Sequence, residues 1–127
     1  MTIQWHLTTR PAADVLQLTG YLGDDAVTRF GGAVGWALAR GQGPLLLDLS
    51  RLKGWSAGGR DAVAEAAERL AVDGRRLELV AGPGDPDLPA PAGLTTYADL
   101  AAALDAHAGP AADGEVWHSS QWGDQAG

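Results

Sequence analysis

The chain has 127 residues, 46% of them hydrophobic and 20% charged, enough to fill one modest core and too few to fill two. Nine Lys plus Arg against sixteen Asp plus Glu leave a net charge of −7, which repels phosphate backbones and anionic lipid and argues against nucleic acid or a membrane surface as a direct partner. The chain has no cysteine, so a disulfide framework, Cys-ligated zinc and a thiol nucleophile are excluded.

Ile3, Trp5 and Leu7 alternate with Gln4, His6 and Thr8, the two-residue period of a half-buried strand over residues 3–9. Arg10-Pro11-Ala12-Ala13-Asp14 is a turn, and Val15, Leu16 and Leu18 with Thr19 form a second strand ending at Gly20, so the two make a hairpin. Asp24 or Asp25 can open a helix over residues 25–40, in which Val27, Phe30, Val34, Ala37 and Leu38 recur at helical spacing. Gly31, Gly32 and Gly35 each weaken that helix by roughly 1 kcal/mol relative to Ala, so packing must hold it. Gly41-Gln42-Gly43-Pro44 stops it, and Leu45-Leu46-Leu47-Asp48-Leu49 is an apolar run of the kind buried on both faces in a parallel sheet.

A second helix is expected over residues 59–73, with Val63, Ala66, Ala67 and Leu70 inward and Arg60, Glu65, Glu68 and Arg69 in water, and with Gly74 as its stop. Leu77, Leu79 and Val80 alternate with Arg76 and Glu78 as a fourth strand, and residues 82–87 are a Gly/Pro/Asp loop. A last strand at 94–96 leads into a helix carrying Leu100, Ala103, Leu104 and His107. This β-β-α-β-α-β-β-α order predicts a single α/β domain over residues 1–108, with a mixed sheet and crossover helices on its faces. Residues 109–127 are Gly-, Ala-, Asp-, Ser- and Gln-rich and read as a flexible tail, whose Trp117 and Trp122 are the side chains able to dock back onto the domain or into a partner groove. Residues 1–10 lack the basic start and apolar stretch of a secretory signal, and no run approaches the roughly 20 apolar residues that span a bilayer, so the expected location is the cytosol.

The residues of catalysis are scattered. His6 sits on the first strand, His107 at the end of the last helix and His118 in the tail, none with an evident partner for acid–base work. Asp85 and Asp87 lie in a loop where short carboxylates bond the local backbone, and a Ca²⁺ loop needs more oxygens in register. Neither Gly82-Pro83-Gly84 nor Gly41-Gln42-Gly43 continues as a phosphate-cradling loop into a capped helix. The expectation is a non-enzymatic domain with no metal and no cofactor.

The ordered set of Leu45-Leu46-Leu47-Asp48-Leu49-Ser50, the loop Trp55-Ser56-Ala57-Gly58-Gly59, an amphipathic helix and the strand in Gly-Arg-Arg-Leu-Glu-Leu-Val resembles the STAS domain of anti-sigma factor antagonists, over residues 14–107. Gly20-Tyr21-Leu22-Gly23-Asp24 stands where that family has Gly-Glu-Leu-Asp, and Asp48-Leu49-Ser50 matches its Asp-Leu-Ser. The resemblance implies a central mixed sheet of four to five strands and three to four helices. It also implies a bacterial regulator that captures an anti-sigma factor or serine kinase of histidine-kinase-like fold, freeing a sigma factor.

One departure bears on function. Ser56 falls at the family's loop aspartate, Ala57 at the serine that the kinase phosphorylates and Gly59 at the motif glycine. Without a hydroxyl Ala57 takes no phosphate, so the implied switch is lost or altered. Ser56 is the substitute candidate for phosphorylation, and it also suits a helix N-cap. The expected partner-facing residues are Gly54, Trp55, Ser56, Ala57, Gly58, Gly59 and Arg60, where free N–H groups open a helix. Trp36 joins them because it lies off the packing stripe of its helix, beside Arg29 and Arg40, and is either a partner contact or covered by the N-terminal hairpin or the tail. Two other readings stay open: a STAS adaptor subunit on a lipid-transport ATPase, and a small-ligand sensor using a pocket beside residues 54–59.

Overall fold

A computed structural model describes residues 2–82 and 87–107. Strands β1 (Ile3–Thr8) and β2 (Asp14–Leu22) pair antiparallel, as the alternation and short turn require. A turn of 3₁₀ helix (Asp24–Ala26) leads into α1 (Val27–Arg40), followed by β3 (Leu45–Trp55), α2 (Ala57–Val72), β4 (Leu77–Val80), β5 (Thr96–Tyr97) and α3 (Leu100–His107). The sheet order is β1-β2-β3-β4-β5, with every pair after the first parallel. The expected mixed α/β sheet is present, with five strands and three α-helices among the described residues, within the expected four to five and three to four.

The helices divide between the two faces of the sheet. Ile3, Leu16, Leu18, Leu45, Leu47 and Leu79 are fully buried with Phe30, Val34 and Ala37 of α1 and Val63, Ala66 and Leu70 of α2. On the opposite face Ala13, Val15, Leu46 and Val80 pack with Ala103 of α3, flanked by Tyr97, Leu100 and Leu104. Leu45 to Leu49 therefore has cover on both sides, which is why the run is continuously apolar. At the end of α2, Gly74 has φ +73°, a conformation that glycine adopts without steric penalty, and it turns the chain into β4.

Four boundaries differ from the sequence reading. Strand β2 continues to Leu22 because β3 also continues, to Trp55, giving Tyr21 and Leu22 partners in Gly54 and Trp55. Helix α2 opens at Ala57, two residues early, since Ser56 caps it there. The predicted loop over residues 54–59 is thus a strand end, a single cap residue and a first helical turn. Strand β5 lies at 96–97, shifted by its pairing with Leu79 and Val80. The tail at 109–127 with Trp117, Trp122 and His118, and Asp85 in the Gly/Pro loop, lie outside the described residues.

Buried ionic groups bind the elements together at the end of the sheet where the parallel strands begin. Arg75 donates to Asp14 at 3.0 Å, to the Gly43 carbonyl at 2.7 Å and to the Ala37 carbonyl at 3.0 Å, joining β2, the end of α1 and the entrance of β4. Both partners of the ion pair are buried. Burial holds the Asp14 carboxyl above its ordinary range, against the opposing pull of the Arg10 N–H and the Arg75 guanidinium.

Candidate functional site

At the opposite end of the sheet, where the parallel strands finish, the junction of β3 and α2 meets the turn after β2. Trp55 ends β3 inside the core, and its indole N–H donates to the Leu88 carbonyl at 2.9 Å. Trp55, expected among the partner-facing residues, is instead packed in the core and offers a partner little surface. The next residue has extended backbone, and its own N–H donates to the Leu22 carbonyl at 3.0 Å. That conformation frees the Ser56 hydroxyl to cap α2 by accepting the Gly59 N–H at 3.0 Å. The same hydroxyl donates to the Asp24 carboxylate at 2.6 Å.

Two glycines allow the turn after β2 to approach so closely. A Cβ on Gly59 would stand 2.0 Å from the Leu22 carbonyl oxygen, and one on Gly58 would stand 2.3 Å from Asp24 Oδ1. Any side chain there forces the two segments apart. Gly54 lies under the Tyr21 ring, where a Cβ would meet ring carbon at 3.0 Å. The Asp24 carboxylate thus rests against the first turn of α2, the positive end of that helix, where a negative charge is favoured. Ala57 occupies the first helical position and is exposed. Arg60 donates through Nε to the Pro89 carbonyl and lies 3.6 Å from Asp61.

The structure therefore gathers residues 54–60 on one rim and adds three that the sequence reading did not assign to it: Asp24, Leu88 and Pro89. Asp24 carried a readable signal, its place in Gly20-Tyr21-Leu22-Gly23-Asp24; Leu88 and Pro89 carried none, because only the return of the chain after β4 brings them there. Trp36 is elsewhere. It lies nine positions beyond Val27, about 14 Å further along α1, and is 47% exposed. Its ring stands 6.4 Å from that of Trp5, and the Arg40 guanidinium lies 3.7 Å above it. β1 covers one side of this side chain, as one expectation had it, and the other side is open.

The Asp-Leu-Ser motif has a structural task. Asp48 is buried and accepts the Ser50 N–H at 3.0 Å, the Ser50 hydroxyl at 2.7 Å and the Gln17 amide at 3.3 Å. The register between β2 and β3 slips just beyond it, so the carboxylate supplies the acceptor that the interrupted ladder lacks there.

A second polar cluster overturns the sequence reading of Glu78 and His107. Glu78, expected on a water-facing side, is buried, and His107, expected without a partner, meets it at 2.5 Å. The Tyr97 hydroxyl donates to the same carboxylate at 3.0 Å, and Arg76 reaches it at 3.5 Å. Strand β4 has neighbours on both sides and α3 across its face, so no position on it is left in water. Burial raises the Glu78 carboxyl, but the hydrogen bonds from His107, Tyr97 and Arg76 outweigh it and its pKa lies below the ordinary value. Burial and the adjoining carboxylate push the Tyr97 hydroxyl up. Among the described residues no group of three or more His, Asp or Glu is placed to hold a metal ion, and no helix is long and apolar enough to cross a membrane.

Comparison with known proteins bears on this arrangement. No curated protein sequence matches the chain. Among solved structures it is similar to the anti-sigma factor antagonist SpoIIAA in its unphosphorylated form, with a TM-score of 0.60 and 21% identity over 82% of this chain and 96% of that one. An anti-sigma factor antagonist from Mycobacterium paratuberculosis gives a TM-score of 0.65 and 20% identity over 83% and 93%. An uncharacterized protein with a SpoIIAA-like fold from Shewanella loihica gives 0.54 and 16% over 84% and 93%. At these identities the likeness is one of fold. The family model described as "Mlab, STAS domain" matches residues 5–102, spanning β1 to α3, and on that match the chain belongs to the STAS domain family.

Proposed function

We propose that the chain is a non-enzymatic protein-binding regulator of the anti-sigma factor antagonist type, which presents the rim around Ser56 to an anti-sigma factor or serine kinase of histidine-kinase-like fold. The carrying observation is the state of the Ser56 hydroxyl, held between the Asp24 carboxylate and the Gly59 N–H beside an exposed Ala57. Such a rim is preorganised for docking, which lowers the ordering cost of association. It offers no hydroxyl at the position where the family resemblance places the phosphate. Phosphorylation of Ser56 would remove the proton it donates to Asp24 and set a dianion against that carboxylate, so the antagonist acts through amount and affinity, with the phosphate switch lost.

A second reading, an adaptor seated on a lipid-transport ATPase, is favoured by the same alanine, since an adaptor needs a docking surface and no phosphate acceptor. Affinity purification of the full chain from a GC-rich actinobacterial host, with mass spectrometry of what is retained, separates the two. An anti-sigma factor supports the first reading; an ATPase subunit in its place supports the second. With the recovered kinase and ATP, the wild-type chain is expected to take no label and Ala57→Ser to take it. Label on Ser56 of the wild type would instead restore a phosphate switch.

A further inference from the structure

We propose that β1 is a self-association edge through which two copies of this chain pair antiparallel into one continuous sheet. Strand β1 ends the sheet order, and among the described residues β2 is its one hydrogen-bonded neighbour. Tyr21 N–H donates to the Thr2 carbonyl, and Ile3 stands opposite Gly20. Antiparallel alternation then turns the N–H and C=O of Gln4, His6 and Thr8 toward β2, and those of Ile3, Trp5 and Leu7 outward to the free edge.

Edges of this length are ordinarily blunted by a charge, a proline, a bulge or brevity. Strand β5, at the far side of the sheet, is blunted by being two residues long. Strand β1 has six residues, Ile-Gln-Trp-His-Leu-Thr, without Asp, Glu, Lys, Arg or Pro, and its register to β2 runs without a slip. It is an unprotected template.

A second copy is the occupant that the side chains fit. A two-fold axis at Trp5 places Trp5 opposite Trp5 and Ile3 opposite Leu7, so that each outward N–H and C=O of the three residues meets its counterpart in the other copy. On the helix side the seam is apolar and aromatic, since Trp5 already stands beside the half-exposed Trp36. On the other side Gln4 meets His6, both exposed, and no pair of like-charged side chains of the two strands is brought face to face. Aromatic cross-strand pairs of this kind are among the favourable ones in sheets. The surface is independent of the Ser56 rim and leaves that rim open in both copies.

The test uses the full chain with any tag at its C-terminus, followed by sedimentation velocity across about a hundredfold range of concentration. The expected result is a shift from the mass of one chain to twice that mass, with the amides of Ile3, Trp5 and Leu7 protected from hydrogen exchange in the dimer alone. Replacing the exposed pair, Gln4→Lys with His6→Lys, sets lysines opposite lysines across the axis and is expected to weaken the dimer about tenfold or more. Circular dichroism and thermal melting report whether that variant keeps its fold, and Leu7→Pro, which removes an outward N–H, is the second variant. A single-chain mass throughout the range overturns the proposal. So does a dimer in which those three amides exchange freely or which the lysines leave unchanged.

Discussion

Ser56 spends its hydroxyl in both directions, as acceptor for the helix and donor to Asp24. Ser56→Ala is therefore expected to cost about 1 kcal/mol of stability, the usual worth of an N-cap, read as a lower denaturant midpoint with unchanged slope. Ser56→Asp keeps a capping oxygen but sets it against the Asp24 carboxylate, so it recovers less than a capping aspartate ordinarily would. Glu78 makes a pH prediction at the same scale. Its folded pKa lies below the ordinary 4.5, so its contribution is complete above that value and is lost as pH falls through the lower folded pKa. Glu78→Gln should flatten the loss of stability below about pH 5, in urea titrations repeated from neutral to acid pH. Asp14 acts with the opposite sign: its pKa is raised on folding, so its charge detracts from stability above that pKa and adds nothing to the acid limb.

Helix α1 illustrates how an element can carry residues that its own packing does not need. A Cβ built on Gly31 or on Gly32 meets nothing within 4 Å, whereas one on Gly58 or Gly59 meets carboxylate or carbonyl oxygen. Gly31→Ala and Gly32→Ala should each stabilise the chain by about 0.5–1 kcal/mol by restricting the unfolded backbone and favouring helix, measured as a rise in melting temperature. Gly59→Ala should do the reverse, because Leu22 is backbone on a central part of the sheet and cannot give way. The helical periods of α1 and α2 were legible in sequence because each helix buries a stripe: Phe30, Val34 and Ala37 in one, Val63, Ala66 and Leu70 in the other. Their openings were less so, as the start of α2 depends on how far β3 stays paired.

Across the whole molecule Arg75 gathers more of the chain than any one contact does in the rim. It joins Asp14, Ala37 and Gly43, and its partner carboxylate is 61 positions away. Arg75→Met should cost about 3–5 kcal/mol, since it leaves Asp14 buried without its cation. Replacing Asp14 as well with an apolar residue should return a large part of that, and a double-mutant cycle in denaturant measures the coupling. The two ends of the sheet thus differ: buried charge ties one together, and the Ser56 cap with its glycines joins β2, β3 and α2 at the other.

What the sequence determined by itself was the kind and order of the elements, because burial repeats every two residues in a strand and every three to four in a helix, and that repeat is local. It also offered Ser56 as an N-cap, although it opened the following helix two residues late. Tertiary structure alone decided which side chains meet there and elsewhere. Asp24 reaches Ser56 across 32 positions, and His107 reaches Glu78 across 29. Glu78 looked solvent-facing because alternation reports the face of a strand, whereas its burial depends on α3, a helix that folds back from beyond β5. No periodicity encodes such a return, which is set by the packing of the sheet as a whole.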